Sequence, residues 1–167
     1  MKAINLILPP ILGLCLLLAG CITTATTVET QKPIQSFKAS TAQISEATST
    51  LQVPSEVHAR FGQFLNDELY SKHDFQPGSG MKIIWSFSEF DEGSRALRYF
   101  VGFGAGKGKI AVHATFLDQK GQVIGAVDGF GTVVMGAFGG SYDSALRECA
   151  YEVARYATDN FLVGEQR

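Results

Sequence analysis

The chain has 167 residues, 46% of them hydrophobic, and its 14 basic and 16 acidic side chains give a formal net charge of −2 at pH 7. This length and hydrophobic content fit one domain with a core of ordinary size. The acidic balance argues against general nucleic-acid binding.

The amino terminus has the composition of a cleaved export signal. Lys2 precedes an apolar run over residues 3–18, as expected of a signal peptide. Pro9 and Pro10, together with the short length of the run, argue against a permanent membrane helix, which needs about 20 apolar residues. The run ends in Leu-Ala-Gly directly before Cys21, a sequence that resembles the lipobox of bacterial lipoproteins. We therefore predict cleavage before Cys21 and acylation of its sulfur.

A lipid on Cys21 would make a membrane the first partner of the protein. Several acyl chains hold a protein stably at a membrane, because each buried methylene contributes about 0.8 kcal/mol. Ile22 follows the cysteine, whereas lipoproteins kept at the inner membrane of enteric-type bacteria typically carry aspartate there. The resemblance therefore implies a lipid-anchored protein on the periplasmic face of the outer membrane. Loss of Lys2 with the signal leaves 13 of the 14 basic residues against 16 acidic ones.

The chain after the cysteine begins with polar sequence. Residues 21–33 are dominated by threonine, and we interpret them as a tether between the lipid and a domain that spans residues 34–163. A short apolar segment at residues 34–37 predicts a first strand. The Ser/Thr/Ala-rich stretch at residues 40–50 predicts a loop.

An amphipathic helix is predicted next. Pro54 and Ser55 form a helix entry in which Ser55 is the expected N-cap, and the helix should end near Lys72. Apolar side chains recur at helical spacing behind this entry. They are Val57, Phe61, Phe64, Leu65 and Leu69.

Three strands follow a break at Pro77, Gly78 and Gly80. Apolar and polar residues alternate over residues 81–88 and again over 110–116, which is the period of half-buried strands. Residues 118–121, with the sequence Asp-Gln-Lys-Gly, are typical of a turn, and an apolar run resumes at 123–127. We therefore predict one strand followed by an antiparallel hairpin.

A closing helix is predicted from near Ser141 or Asp143 to Phe161. Its apolar face includes Cys149, the single thiol left in the mature chain once Cys21 is acylated, so no internal disulfide can form. The order strand, helix, three strands and helix favours an α+β fold, because both helices then bury their apolar faces on the sheet. We predict a single two-layer domain, in which a small, mainly antiparallel sheet carries two helices packed on one face.

One segment gives the chain a family resemblance. Residues 98–109, with the sequence Arg-Tyr-Phe-Val-Gly-Phe-Gly-Ala-Gly-Lys-Gly-Lys, precede the alternating strand, the turn at 118–121 and further glycines up to Gly140. This arrangement resembles a bacterial lipoprotein family known only as domain of unknown function 4410, over about residues 34–161. The resemblance implies an envelope lipoprotein without an assigned activity and a fold related to small α/β modules of secretion and envelope assemblies. It provides no catalytic residues.

The glycine-lysine segment does not match a nucleotide-binding loop. A P-loop lysine directly follows a glycine, has another glycine five residues further back, and precedes Ser or Thr. Lys107 has Val101 at the distant glycine position and Lys109 has Phe103, and a strand rather than a helix is predicted to follow. We therefore interpret the nearby glycines as structural residues that permit a bulge, a bend or a close backbone contact. They are Gly102, Gly104 and Gly106.

The same region holds a concentration of basic residues. Residues 93–117 contain four of them and no acid. Such a cluster can bind an envelope protein, an anionic envelope polymer or lipid headgroups. Alternatively, the charges keep strand edges soluble and discourage edge pairing. The candidate binding residues are Arg95, Arg98, Lys107 and Lys109.

The sequence identifies no catalytic residues. His58, His73 and His113 lie far apart without metal-ligand spacing, and no serine has the Gly-x-Ser-x-Gly surroundings of a nucleophile. The alternation of its strand predicts that His113 points away from the face of Val112. We expect no metal, no cofactor and no enzyme activity. The pattern favours a non-catalytic binding or assembly module of the envelope, with a subunit of an envelope secretion or pore complex as the alternative and a periplasmic hydrolase less favoured.

Overall fold

The computed structural model describes residues 23–91, 108–133 and 142–164. These ranges form six strands and two helices, with a π-helical segment directly after the first helix. The strands are β1 (Thr23–Gln31), β2 (Thr41–Glu46), β3 (Gln76–Pro77), β4 (Met81–Asp91), β5 (Gly108–Leu117) and β6 (Val123–Val133), the helices are α1 (Ser55–Asn66) and α2 (Tyr142–Phe161), and the π-helical segment is Asp67–Lys72.

The described strands belong to one mixed sheet with the order β1-β6-β5-β4-β2-β3. β1, β6, β5 and β4 pair antiparallel with one another, and they include the predicted hairpin of β5 and β6. β2 is parallel to β4 and to β3, because the chain passes through α1 between β2 and β4, and a helical crossover is what joins parallel neighbours. The prediction of an α+β fold is confirmed, with a mixed sheet.

The prediction of a first strand at residues 34–37 is wrong. β1 lies earlier, inside the threonine-rich stretch interpreted as a tether, and pairs along its length with β6. Threonine is β-branched and favours a strand where a neighbouring strand supplies hydrogen-bond partners. β2 likewise lies inside the stretch at 40–50 for which a loop was predicted. The folded structure therefore begins ahead of residue 34.

α1 begins where the sequence indicates, but Ser55 is not its cap. Ser55 is the first helical residue, Pro54 holds the N-cap position, and no side chain caps the helix. Helical geometry continues through the π-helical segment to Lys72, in agreement with the expected end. The buried side of α1 packs on β4, where the ring centroid of Phe61 lies 4.6 Å from that of Trp85.

α2 packs across β6, β1 and β5 and against α1. Leu146, Cys149, Val153 and Phe161 on its inner side are buried, which confirms the predicted apolar face. The Cys149 thiol is inaccessible, and burial raises its pKa to about 12. The thiol is therefore protonated at neutral pH and unreactive, since the thiolate is the nucleophile.

Glycines in β6 allow the close approach of α2 to the sheet. Gly129 and Gly131 both face α2. A Cβ atom built at Gly131 would lie 3.1 Å from Ala145 Cβ, 3.1 Å from Cys149 Sγ and 3.2 Å from the Ala145 carbonyl oxygen, whereas at Gly129 the nearest atoms of Cys149 are 3.8 Å away. Of the two positions, Gly131 is the one at which the packing requires glycine.

Gly131→Ala should therefore destabilise the domain by about 1–3 kcal/mol, because the added methyl group overpacks a contact that includes helix backbone. Gly129→Ala should leave stability unchanged or raise it by about 0.4–1 kcal/mol, since alanine restricts the unfolded chain. Chemical denaturation followed through the fluorescence of Trp85, the single tryptophan, measures both. Equal stabilities of the two variants would contradict the packing argument.

Candidate functional site

The described helices contact one face of the sheet, where α1 packs on Trp85 and α2 lies against Gly131. Successive strand residues point to opposite faces, so Trp85, Val112 and Val127 point toward the helices while their chain neighbours point away. The four antiparallel strands provide most of this second face, which we call the open face. Its side chains include Val28, Ile84, His113, Thr115, Leu117, Asp128 and Phe130.

Three polar side chains form a line across the open face. His113 on β5 lies opposite Asp128 on β6, and His113 Nδ1 is 2.5 Å from Asp128 Oδ1. His113 Nε2 is 3.1 Å from the Thr115 hydroxyl oxygen. The half-exposed His113 thus points away from the buried side chain of Val112, as predicted, but the sequence did not indicate Asp128 as its partner. Both ring nitrogens have hydrogen-bonding neighbours.

The order carboxylate, imidazole, hydroxyl is that of a hydrolytic triad, in which the imidazole activates the hydroxyl. The backbone around it differs from that of a hydrolytic site. β5 lies between β4 and β6, and Thr115 is paired in register on both sides, whereas an oxyanion site needs backbone N–H groups that are free of such pairing. Polar side chains that hydrogen-bond to one another are suited to a contact surface, because their hydrogen bonds stay satisfied when a partner covers them and water is removed.

Apolar side chains surround the polar line. Ile84 and Leu117 are half-buried, Phe130 is 38% exposed and Val28 is 48% exposed. Exposed aromatic and aliphatic groups around satisfied polar side chains are typical of protein interfaces. The open face is therefore a candidate binding surface.

The helices carry a second exposed surface on the opposite side of the domain. Arg147 on α2 stacks over the Phe64 ring of α1, with its guanidinium carbon 4.2 Å from the ring centroid. One turn further along α2, Tyr151 is 39% exposed, and its ring centroid lies 5.7 Å from that of His73. We call these four side chains the aromatic ridge. Tyrosine and arginine are among the residues most enriched at binding hot spots.

Of the four basic residues singled out from the sequence, the structure describes Lys109. The Lys109 ammonium lies 4.0 Å from Glu89 Oε1 on the neighbouring strand, and Lys109 is paired in register with Asp91. Carboxylates at the end of β4 thus offset this cation. The other predicted site residues lie outside the described residues. They are Cys21, Arg95, Arg98, Lys107, Gly102, Gly104 and Gly106.

Strand register shows where these segments join the fold. Thr23 lies beside Val133, and Val133 lies beside Gly108. Asp91, the last residue of β4, is at the same end of the sheet, which we call the proximal end. Cys21 precedes Thr23 by two residues, and residues 92–107 connect β4 to β5. The predicted lipid site and the predicted basic segment are therefore both attached to the proximal end.

Comparison with known protein families shows to which family the chain belongs. The family described as “Domain of unknown function (DUF4410)” matches residues 22–137. The chain belongs to this family. The resemblance to domain of unknown function 4410 is thereby confirmed, and the matched range includes β1, so the family's domain also begins ahead of residue 34. No curated protein sequence matches this DUF4410 chain.

Solved structures share the fold at low sequence identity. A point variant of PelC from Paraburkholderia phytofirmans, described as a dodecamer, is 12% identical with a TM-score of 0.53, and the alignment covers 82% of this chain and 98% of that chain. A second PelC dodecamer from the same organism is 9% identical with a TM-score of 0.51, covering 80% of this chain and 96% of that chain. These likenesses extend over most of both chains, and at such identities they concern the fold.

Two further structural findings concern membranes and metals. None of the helices that the structure describes is long and apolar enough to cross a membrane. Among the described residues, no group of three or more His, Cys, Asp or Glu side chains is arranged to hold a metal ion.

Proposed function

We propose that this DUF4410 chain is a non-catalytic assembly module, held by a lipid on Cys21 at the periplasmic face of the outer membrane, and that it acts as an oligomer. The observation that carries the proposal is the likeness of its fold to subunits of PelC dodecamers, which extends over nearly the whole length of those subunits. The oligomer is thus inferred from the fold, and the lipid anchor from the sequence before Cys21.

The arrangement of layers supports an assembly role. In the proposed arrangement the domain has two layers, with a mainly antiparallel sheet on one side and both helices on the other. The open face then carries exposed apolar groups such as Phe130 and Val28. Exposed apolar patches of this kind mark sites that another molecule covers. A further copy of the chain would provide that cover without any other partner.

The course of β1 supports the position of the anchor. β1 starts at the proximal end two residues after Cys21 and has 9 residues, a length of about 30 Å. We infer that the proximal end faces the membrane and that the turn between β5 and β6 lies about that far from it. The basic residues near the proximal end would then meet lipid headgroups or an anionic envelope polymer. They are Arg95, Arg98, Lys107 and Lys109.

A subunit of an envelope secretion or pore complex is the second candidate. Head-to-tail contacts between identical subunits generate rings where the rotation closes, and a ring encloses an opening along its axis. The dodecameric state of the PelC structures favours this candidate among the alternatives. The periplasmic hydrolase has one supporting feature, the order of Asp128, His113 and Thr115, and the engaged backbone of β5 argues against it.

Native mass spectrometry of the lipidated chain in detergent tests the oligomer directly. The expected result is one dominant species of many copies, formed at concentrations at which an isolated domain would be monomeric. The unacylated mature chain, measured in parallel without detergent, is the control that separates protein contacts from sharing of a micelle. A monomer in both preparations over the whole concentration range would overturn the assembly proposal.

A further inference from the structure

We propose that the open face of one copy binds the aromatic ridge of the next copy, so that the subunits stack head to tail. This inference rests on the proposed oligomer and names its contact. Its basis is that the domain presents two different exposed surfaces on opposite sides, one on the sheet and one on the helices. Each has the composition of an interface.

The open face provides most of the area that such a contact needs. Its four antiparallel strands lie about 4.8 Å apart and are about ten residues long, so they present roughly 600 Å². A stable interface takes roughly 800 Å² from each partner, so the four strands provide about three quarters of that area. Within this area Phe130 and Val28 are exposed, and the Asp128 carboxylate is paired with His113.

The aromatic ridge and the open face carry groups that suit one another. Tyr151 and Arg147 are exposed on the helix layer, and the sheet carries the half-buried Ile84 and Leu117. Tyrosine and arginine anchors act in binding hot spots when a partner surface excludes water around them. The Arg147 guanidinium is held over the Phe64 ring, and Asp128, which is paired with His113, is one of the carboxylates that it would meet on the open face. Arg147 thus brings a cation to a surface that carries a carboxylate.

The symmetry of the contact follows from the position of the two surfaces. If the open face bound a second open face, the contact would be isologous and would end with a dimer. A contact between two different surfaces is heterologous, and each added copy leaves one of each surface free for the next. Two surfaces on opposite sides of a two-layer domain therefore build a chain of copies that closes into a ring when the rotation allows.

Thiol cross-linking of the full lipidated chain in its membrane tests this geometry. Phe130→Cys places a thiol on the open face and Tyr151→Cys places one on the aromatic ridge, and both residues are exposed enough for substitution to leave the fold intact. A flexible bis-maleimide joins neighbouring thiols. The parent chain is the control, because its buried Cys149 should not react in the folded protein.

The expected result is a ladder of covalent dimers, trimers and larger species from the Phe130→Cys/Tyr151→Cys double variant, and no cross-linked species from either single variant. Dimers from Phe130→Cys alone would show a sheet-to-sheet contact and overturn the proposal. A many-copy species in native mass spectrometry without a ladder would overturn it too, while leaving the proposed oligomer in place. A monomer in native mass spectrometry would remove both.

A charge substitution gives an independent measurement that needs no cross-linker. Phe130→Glu should raise the apparent dissociation constant of the oligomer by roughly tenfold or more, because it removes an aromatic group from the proposed contact and buries a further charge there. Gln52→Glu, a substitution at another exposed position, in the loop before α1, is the matched control and should leave assembly unchanged. Equal dissociation constants for the two variants, with unchanged melting temperatures, would contradict a role of the open face in the contact.

Discussion

Cys21→Ser is expected to abolish incorporation of labelled palmitate and to leave the chain uncleaved or mislocalised. Serine cannot form the thioether that carries the lipid, and the described fold begins two residues later, at Thr23. The effect on labelling should therefore be complete. Removal of the acyl chains takes away about 0.8 kcal/mol of membrane binding for every buried methylene.

Cys15→Ser is the matched control for this experiment. Cys15 lies six residues earlier in the same apolar run, after Leu14, and a leucine is too large for the small-residue position directly before an acylated cysteine. The variant should be labelled and should fractionate with membranes like the parent. Labelling of Cys21→Ser, or loss of labelling in Cys15→Ser, would mean that the lipid site had been assigned to the wrong cysteine.

The elements that were predicted correctly from the sequence are those in which the spacing of apolar residues directly indicates which side of the element is buried. In the hairpin of β5 and β6, apolar and polar residues alternate before a four-residue turn and an apolar run follows it, and Asp118 Oδ1 accepts hydrogen bonds from the backbone of Lys120 and Gln122 at that turn. α2 shows an apolar face over its whole length. These signals are local, so no knowledge of the partner element was needed to find them.

The strands that the sequence missed depend on partners far away in the chain. β1 has few apolar side chains, because it is an edge strand held by backbone pairing with β6 and by contacts such as Thr27 Oγ1 with Glu152 Oε2 at 2.6 Å. β2 is short, and only Ala42 in it is fully buried. Neither strand has an alternation of apolar and polar residues that can be recognised in the sequence. Both are strands because they pair with β6 and β4.

The candidate site illustrates the same limit at the level of single residues. Alternation placed His113 on the open face, but the partner of His113 depends on the register of the hairpin. The pairing shifts by one residue between Phe116 and Leu117, and without that irregularity His113 would face Val127 instead of Asp128. A shift of one residue exchanges the two faces of a strand, so the pairing of His113 with Asp128 could not be predicted from the sequence. The acidic neighbours of Lys109 were missed for a similar reason, since they lie on another strand.

The second large effect is expected in the core. Phe161→Ala should destabilise the domain by about 3–5 kcal/mol, because it removes a fully buried ring and leaves a cavity. The Phe161 ring centroid lies 5.4 Å from that of Phe116 and 6.0 Å from that of Phe37, so the ring joins the end of α2 to the sheet and to the segment after β1. Denaturant unfolding monitored through Trp85 gives the stability. Phe161→Leu is the conservative control and should retain much of the stability, because leucine fills part of the cavity.

A double-mutant cycle with Gly125 shows whether this ring is the reason for the glycine on β6. A Cβ atom at Gly125 would lie 3.0 Å from Phe161 Cζ and 3.0 Å from the Tyr156 hydroxyl oxygen, so Gly125→Ala should destabilise the parent by about 1–3 kcal/mol through overpacking. In Phe161→Ala the ring is gone and the new methyl group enters the space it leaves, so the same substitution should cost less there by about 0.5–3 kcal/mol, the range for residues in contact. If Gly125→Ala destabilises the parent and the Phe161→Ala variant equally, the constraint at Gly125 comes from Tyr156 rather than from Phe161.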